Sequence, residues 1–225
     1  MFKNPNPEDA RANPVGKPLP ERTRERLLDA AGEVFAERGY RRATVREICR
    51  RANVNIASVN YYFKSKQDLY ADVLEFSWRQ ALRMYPDEEG SGTPERAEDR
   101  LQRFVHTFLL RILDEGRPAW FGKLTAREIV EPTGALDRVI ERAIRPLHEL
   151  LGGLVREVLG KGASPEEIRR HVFSILGECL FYRHGRHVIA KLYPEVRIDA
   201  VEIERIADHI ASVALCALRR PTRGK

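Results

Sequence analysis

Cysteines, aromatic residues and long apolar runs are all in short supply in this sequence. Its 225 residues include three cysteines, Cys49, Cys179 and Cys216, far apart and odd in number. That excludes a disulfide framework and a Cys-x-x-Cys metal knuckle and fits a reducing compartment. Only 8% of residues are aromatic, and no apolar run approaches the roughly 18 residues that would cross a bilayer. The opening Met1-Phe2-Lys3-Asn4-Pro5 lacks the basic-then-apolar pattern of a secretory signal. The expectation is a cytoplasmic protein with no membrane partner. No Gly-rich phosphate loop, no His-Glu-x-x-His and no Gly-x-Ser-x-Gly occurs, so an enzyme would have no nucleophile or cofactor motif to rest on. We therefore expect no enzyme and no cofactor. The hydrophobic content, 43%, does suffice for one large domain or two small ones around a real core.

Charge is plentiful, 32% of residues with a net of +6, and it is unevenly placed. Residues 1–66 hold 14 Lys and Arg against 8 Asp and Glu, whereas residues 67–225 hold 25 of each. A basic segment joined to an electrically balanced remainder is what a phosphate-binding module attached to a neutral partner domain looks like. A solvated basic face would give the same count, so motifs have to decide.

Residues 1–20 hold five prolines among little hydrophobic pattern and read as a flexible arm. A helix is expected from near Thr23, with Leu27, Leu28, Ala31, Val34 and Phe35 at helical spacing and Gly39 as its stop. Thr44 with Glu47 is a capping box opening a short helix with Val45, Ile48, Cys49 and Ala52 inward. After the interruption Asn53-Val54-Asn55, a second short helix runs from about Ile56 to Phe63. Ser65 with Asp68 is another capping box, opening a longer helix to about Met84. A break at Pro86, Gly90, Gly92 and Pro94 follows, and Thr93-Pro94-Glu95 caps the next helix. Proline and glycine divide the remainder into further helical segments, and no alternating strand pattern stands out. The expected fold is all-α with roughly eight to ten helices. The expected division is an arm over 1–20, a basic helical unit over 21–66 and a larger helical domain over 67–225. The apolar surfaces over 165–184 and over 199–219 are too wide for helices with one buried face. Pairing them with their copies from a second chain predicts a homodimer.

Thr44 to Phe63 has the dimensions of a helix-turn-helix, whose second helix fits the DNA major groove. In Ile56-Ala57-Ser58-Val59-Asn60-Tyr61-Tyr62-Phe63, Val59 and Phe63 face inward at i and i+4, leaving Ser58, Asn60, Tyr61 and Tyr62 outside. Tyrosine can stack on sugar and donate to phosphate, asparagine can read adenine with two hydrogen bonds, and small Ala57 lets a base edge approach. Lys64 and Lys66 add charge beside the helix end.

Over Ala30 to Leu74 the chain resembles the DNA-binding domain of the TetR family of transcriptional regulators. The resemblance is carried by Phe35-Ala36-Glu37-Arg38-Gly39-Tyr40, Ala43-Thr44-Val45-Arg46-Glu47-Ile48 and Val59-Asn60-Tyr61-Tyr62-Phe63-Lys64-Ser65-Lys66-Gln67-Asp68-Leu69-Tyr70. It implies a repressor that binds a palindromic double-stranded DNA operator as a homodimer and is released by a small molecule. A helical C-terminal domain would dimerise and hold that unidentified effector. Carried over by position, Thr44, Tyr62, Lys64 and Lys66 match the family's phosphate contacts, and Ala57, Ser58, Asn60 and Tyr61 match its base-reading surface. Asn55-Ile56 stands where members often have a serine and a small or basic residue, which implies an altered base preference. Glu131-Pro132-Thr133-Gly134-Ala135-Leu136-Asp137 and Ser174 to Arg183 are similar to the C-terminal domain of one subgroup.

Phe104, Phe108, Trp120, Phe121, Phe181 and Tyr182 are candidates to line an effector pocket, with Glu128, Glu178 or His106 to orient a ligand. Core packing explains each aromatic as well. His184 and His187 near Glu178 offer too few clean ligands for a metal, and Gly185 weakens the helix between them; no metal is expected. The three cysteines read as small core residues. A DNA-coating protein indifferent to sequence remains an alternative, because phosphate contacts alone give substantial binding.

Overall fold

The structure, a computed structural model, describes residues 19–86, 95–113 and 120–219. The expected arm lies outside these residues except for its last two positions, and Thr93-Pro94 of the expected cap lies outside as well. Among the described residues every regular element is helical: α1 (Leu19–Arg42), α2 (Val45–Ala52), α3 (Ile56–Tyr62), α4 (Lys66–Met84), α5 (Ala97–Leu113), α6 (Trp120–Val130), α7 (Leu136–Val139), α8 (Arg145–Leu159), α9 (Pro165–His184), α10 (Arg186–Leu192) and α11 (Ala200–Leu218). A π-helical turn, Ile140–Ile144, joins α7 to α8. The all-α fold stands as expected from the sequence.

Local chemistry sets most of the starts. The Thr44 hydroxyl accepts the Glu47 amide at 3.2 Å, that of Ser65 accepts the Asp68 amide at 3.0 Å, and the Asp199 carboxylate accepts the Glu202 amide at 3.0 Å. Each cap satisfies an amide that the first helical turn leaves without a partner. Asn55 caps α3 in the same way, its Oδ1 accepting the Ala57 amide at 2.9 Å. From the sequence, Asn55 is only an interruption. At Gly39 the backbone takes φ 76° and kinks α1 before its last three residues. A Cβ there would lie 2.7 Å from an Arg127 guanidinium nitrogen; the arginine tip can move aside, so it is the positive φ that requires glycine.

α1 buries Leu27, Leu28, Ala31, Val34 and Phe35, and α4 buries Leu69, Tyr70, Val73 and Leu74 against it. Tyr70 meets the ring of Phe35 edge-on at 4.8 Å and that of Tyr40 at 5.0 Å, so the first half of α4 belongs to the core of the helix-turn-helix. Its far end is held differently. Buried Arg111 of α5 donates to the Tyr85 carbonyl through Nε at 2.9 Å and Nη2 at 2.6 Å, satisfying an orphan of the helix terminus. α5 is the hub of the C-terminal bundle, packed on α6, α8, α9 and α11.

An ionic ladder fastens the two parts together. Arg24 of α1 pairs with Asp72 of α4 at 2.6 Å, Asp72 with Arg138 of α7 at 2.6 Å, Arg138 with Glu75 at 2.9 Å, and Glu75 with Arg142 of the π turn at 2.8 Å. Arg24 also covers the Phe63 ring at 5.4 Å, so the ladder reaches the end of α3.

α9 and α11 pack on each other and still leave apolar surface outside: Phe173 and Phe181 are 58% exposed, Val201 57% and Val213 44%. This is the excess the sequence predicts. Cys216 corrects one expectation. It is exposed on α11, because it lies off the Ile203, Ile206, Ala207, Ile210 and Ala214 stripe that enters the core. Cys49 and Cys179 are buried as read.

Candidate nucleic-acid interface

α2 and α3 meet through the turn Asn53-Val54-Asn55, where Asn53 adopts the left-handed conformation at φ 51° and returns its amide to the Arg50 carbonyl. Asparagine tolerates that region better than other side chains do. On α3 the inward residues are Val59, 2% exposed, and Phe63, 3% exposed, at its C-terminal end. The i, i+4 anchor therefore turns the opposite face outward. Ala57, Asn60 and Tyr61 are exposed, Tyr61 at 79%, and Ser58 is half-buried. All four residues expected to read bases lie on this one short helix. Tyr61 and Tyr62 stack edge-on at 4.9 Å, which stiffens an aromatic that would otherwise lose rotamer freedom on binding.

The expected phosphate contacts surround that helix but differ in availability. Thr44 and Lys64 are exposed, and Tyr62 is half-buried. Lys66 is engaged within the protein. Its ammonium sits 4.6 Å from the Tyr40 ring centroid and donates to the Arg41 carbonyl at 3.4 Å, and burial lowers its pKa from the ordinary lysine value. A phosphate would draw it out of a partly desolvated seat. Ile56, at the position where the sequence implies an altered base preference, opens α3, is 49% exposed and offers apolar contact of the kind a thymine methyl accepts. Three residues escape the sequence reading: Arg41, Arg42 and Arg46 are exposed on either side of Thr44. The Arg41-Arg42 doublet just before a helix cap was the visible signal, since a helix N-terminus already favours anions.

The set assigned to an effector pocket is dispersed. Phe104 and Phe108 are buried and stacked on each other at 6.1 Å, inside α5's core face. Trp120 is half-buried against Phe76 at 6.3 Å, and its ring fills the space a Cβ on Gly32 would need. Glu128 is completely buried and accepts from the Thr133 amide and hydroxyl, each at 2.8 Å. Phe181 faces outward from α9, where a pocket wall would need it inward, and Glu178 is half-buried. The Phe121 side chain lies outside what the structure describes. Tyr182 alone of this set borders the cavity of about 350 Å3 at the corner of α9, α10 and α11, beside Arg183, His187 and Arg197. Helical periodicity finds apolar faces, and it cannot separate a core wall from a cavity wall. Among the described residues no three His, Cys, Asp or Glu side chains gather as metal ligands would, and no helix is long and apolar enough to cross a membrane.

Residues 27–73 match the model of bacterial regulatory proteins of the tetR family, and residues 97–219 match the C-terminal domain of the HTH-type transcriptional dual regulator CecR. The chain belongs to the TetR family. It is 32% identical over 190 residues to the CecR regulator of Shigella flexneri, covering 79% of this chain and 82% of that one. It is 25% identical over 211 residues to the HTH-type transcriptional repressor NicS of Pseudomonas putida, covering 88% of this chain and 92% of that one. The fold is shared with a Rhodococcus transcriptional regulator (TM-score 0.61, 22% identity, 86% of this chain and 96% of that one). It is also shared with the Bacillus subtilis regulator FadR, solved with stearoyl-CoA (TM-score 0.64, 18% identity, 85% of this chain and 97% of that one). As a TetR-family protein the chain is a transcriptional regulator with a DNA-binding domain, and it is not an enzyme.

Proposed function

We propose that this TetR-family regulator is a repressor that binds a palindromic operator as a homodimer and is released by a small molecule. The observation that carries the reading is the exposed face of α3. Ala57, Asn60 and Tyr61 stand outside on a helix anchored by Val59 and Phe63, flanked by exposed Thr44 and Lys64. Such a face serves major-groove readout, with the flanking groups fixing register on phosphate. Residues 21–66 are the reader on this view and 67–225 the effector and dimerisation part, in the cytoplasm. The apolar surface left on α9 and α11 by Phe173, Phe181 and Val213 supports an isologous contact between two copies. Two readers would then fall on half-sites about 34–36 Å apart. α4, which packs on α1 at one end and on α6 and α7 further along, is the lever through which a ligand would change that spacing. A similar protein is named a repressor and another was solved with a bound acyl-CoA, which supports repression and a small-molecule effector in turn.

The test is selection of genomic fragments by the purified protein at about 150 mM salt, where screening removes much of the phosphate attraction. Enrichment of one palindrome is the expected result. Equal retention of all fragments would favour the DNA-coating alternative instead.

A further inference from the structure

The joint between α1, α4 and α6 holds a cavity of about 640 Å3 that α3 does not use. The end of α1 beyond its Gly39 kink lines one side with Arg38, Arg41 and Arg42, α6 supplies Arg127, and Tyr70 of α4 borders it too. Two of the charged linings are already matched within the protein. Arg38 pairs with Glu47 at 2.7 Å, and Glu37 pairs with Arg51 at 2.8 Å. Among the described residues Arg41 and Arg42 are exposed without an ion pair, and Arg127 makes a long 3.4 Å hydrogen bond to the Phe35 carbonyl and no ion pair. Against these three guanidiniums stand one unmatched carboxylate of the lining, that of exposed Glu131, and behind the wall the buried Glu128 carboxylate beside Tyr70. The ammonium of Lys66, donating to the Arg41 carbonyl, adds to the local positive potential.

We propose that this cavity binds a small phosphate-bearing anion, held between the arginines of α1 and Arg127 of α6. Guanidinium forks match phosphate oxygens two at a time, and arginines converging from two helices suit a group with several equivalent oxygens. The volume lies within the range of small-molecule sites, roughly 300–1,000 Å3, while the charged lining disfavours a fatty ligand. An anion seated there bridges a helix of the reader to a helix of the C-terminal bundle. Its occupancy is therefore coupled to how the two parts sit on each other. The same arginines would accept a backbone phosphate of DNA flanking the operator, so free anion and DNA have to be told apart.

Titration calorimetry of the full chain with pyrophosphate, against chloride at matched ionic strength, tests the site. One saturable site per chain is expected, weakened at least tenfold in Arg42→Gln and, separately, in Arg127→Gln. Arg170→Gln, a surface change on α9 remote from the cavity, is expected to leave the affinity unchanged. Circular dichroism checks that each variant is folded. The titration is then repeated on protein saturated with a random-sequence duplex. A site for a free anion still fills, whereas loss of pyrophosphate binding assigns the arginines to DNA and overturns the proposal. Absence of saturable binding, or equal binding in all three variants, overturns it as well.

Discussion

At the scale of single residues, what a side chain can do to DNA depends on how much of it the helix leaves outside and on what already engages it. Asn60 is exposed and can offer an amide edge that pairs with adenine. Asn60→Ala is expected to remove about 1–3 kcal/mol of discrimination at one base pair while leaving binding to scrambled DNA almost unchanged. Anisotropy titrations on an enriched fragment and a scrambled one measure both. Exposed Lys64 is a point charge without a base edge to read. Lys64→Ala should weaken both fragments alike and reduce the slope of log affinity against log salt by about one. Lys66 is expected to contribute less than Lys64 to that slope, because leaving Tyr40 and the Arg41 carbonyl offsets part of what a phosphate provides. The buried thiols behave oppositely to such surface groups. Burial, reinforced by the Glu178 carboxylate, pushes the Cys179 thiol up to about 12. Alkylation of the native protein near pH 8 should therefore spare Cys179 until the chain unfolds, as read by mass spectrometry.

Elements are joined by the ionic ladder, by the kink at Gly39 and by apolar faces. In the ladder, burial acts upward on the Glu75 carboxyl, but hydrogen bonds from Arg142 and Arg138 outweigh it and hold its pKa below the ordinary carboxylate value. A depressed folded-state pKa stabilises the protein above the unfolded carboxylate pKa of about 4.3, and that stability is lost as pH falls through the lower folded value. Arg138 is 35% exposed and Arg142 58%, so solvent screening keeps the effect small. Glu75→Gln should cost about 1 kcal/mol at pH 7 and much less near pH 3, by urea unfolding. Gly39→Ala should cost about 1–2 kcal/mol, from positive φ and the displaced Arg127. On the apolar face, Phe173→Asp should halve the solution mass seen by light scattering while leaving helicity intact; a mass unchanged from wild type would exclude this face from the dimer.

Over the whole molecule, the caps at Thr44 and Ser65 and the inward positions Val59 and Phe63 were all readable in the sequence, and Gly39 was readable as a helix stop, where the structure has a kink followed by three more helical residues. Each depends on neighbours within about four residues. The ladder from Arg24 to Arg142 and the seat of Lys66 on Tyr40 were not readable, because each joins residues from separate elements. The dispersal of the effector set has a related physical reason. Phe181 and Phe104 have similar helical surroundings in sequence, yet one faces out of α9 and the other packs in α5's core. The central claim, specific readout by α3, is tested most directly by the affinity ratio between an enriched fragment and its scrambled counterpart at about 150 mM salt. Specific readout predicts a ratio of about 10³ or more for the wild-type protein, falling by roughly tenfold or more in Asn60→Ala. A ratio near one in the wild-type protein, unchanged by Asn60→Ala, would contradict it.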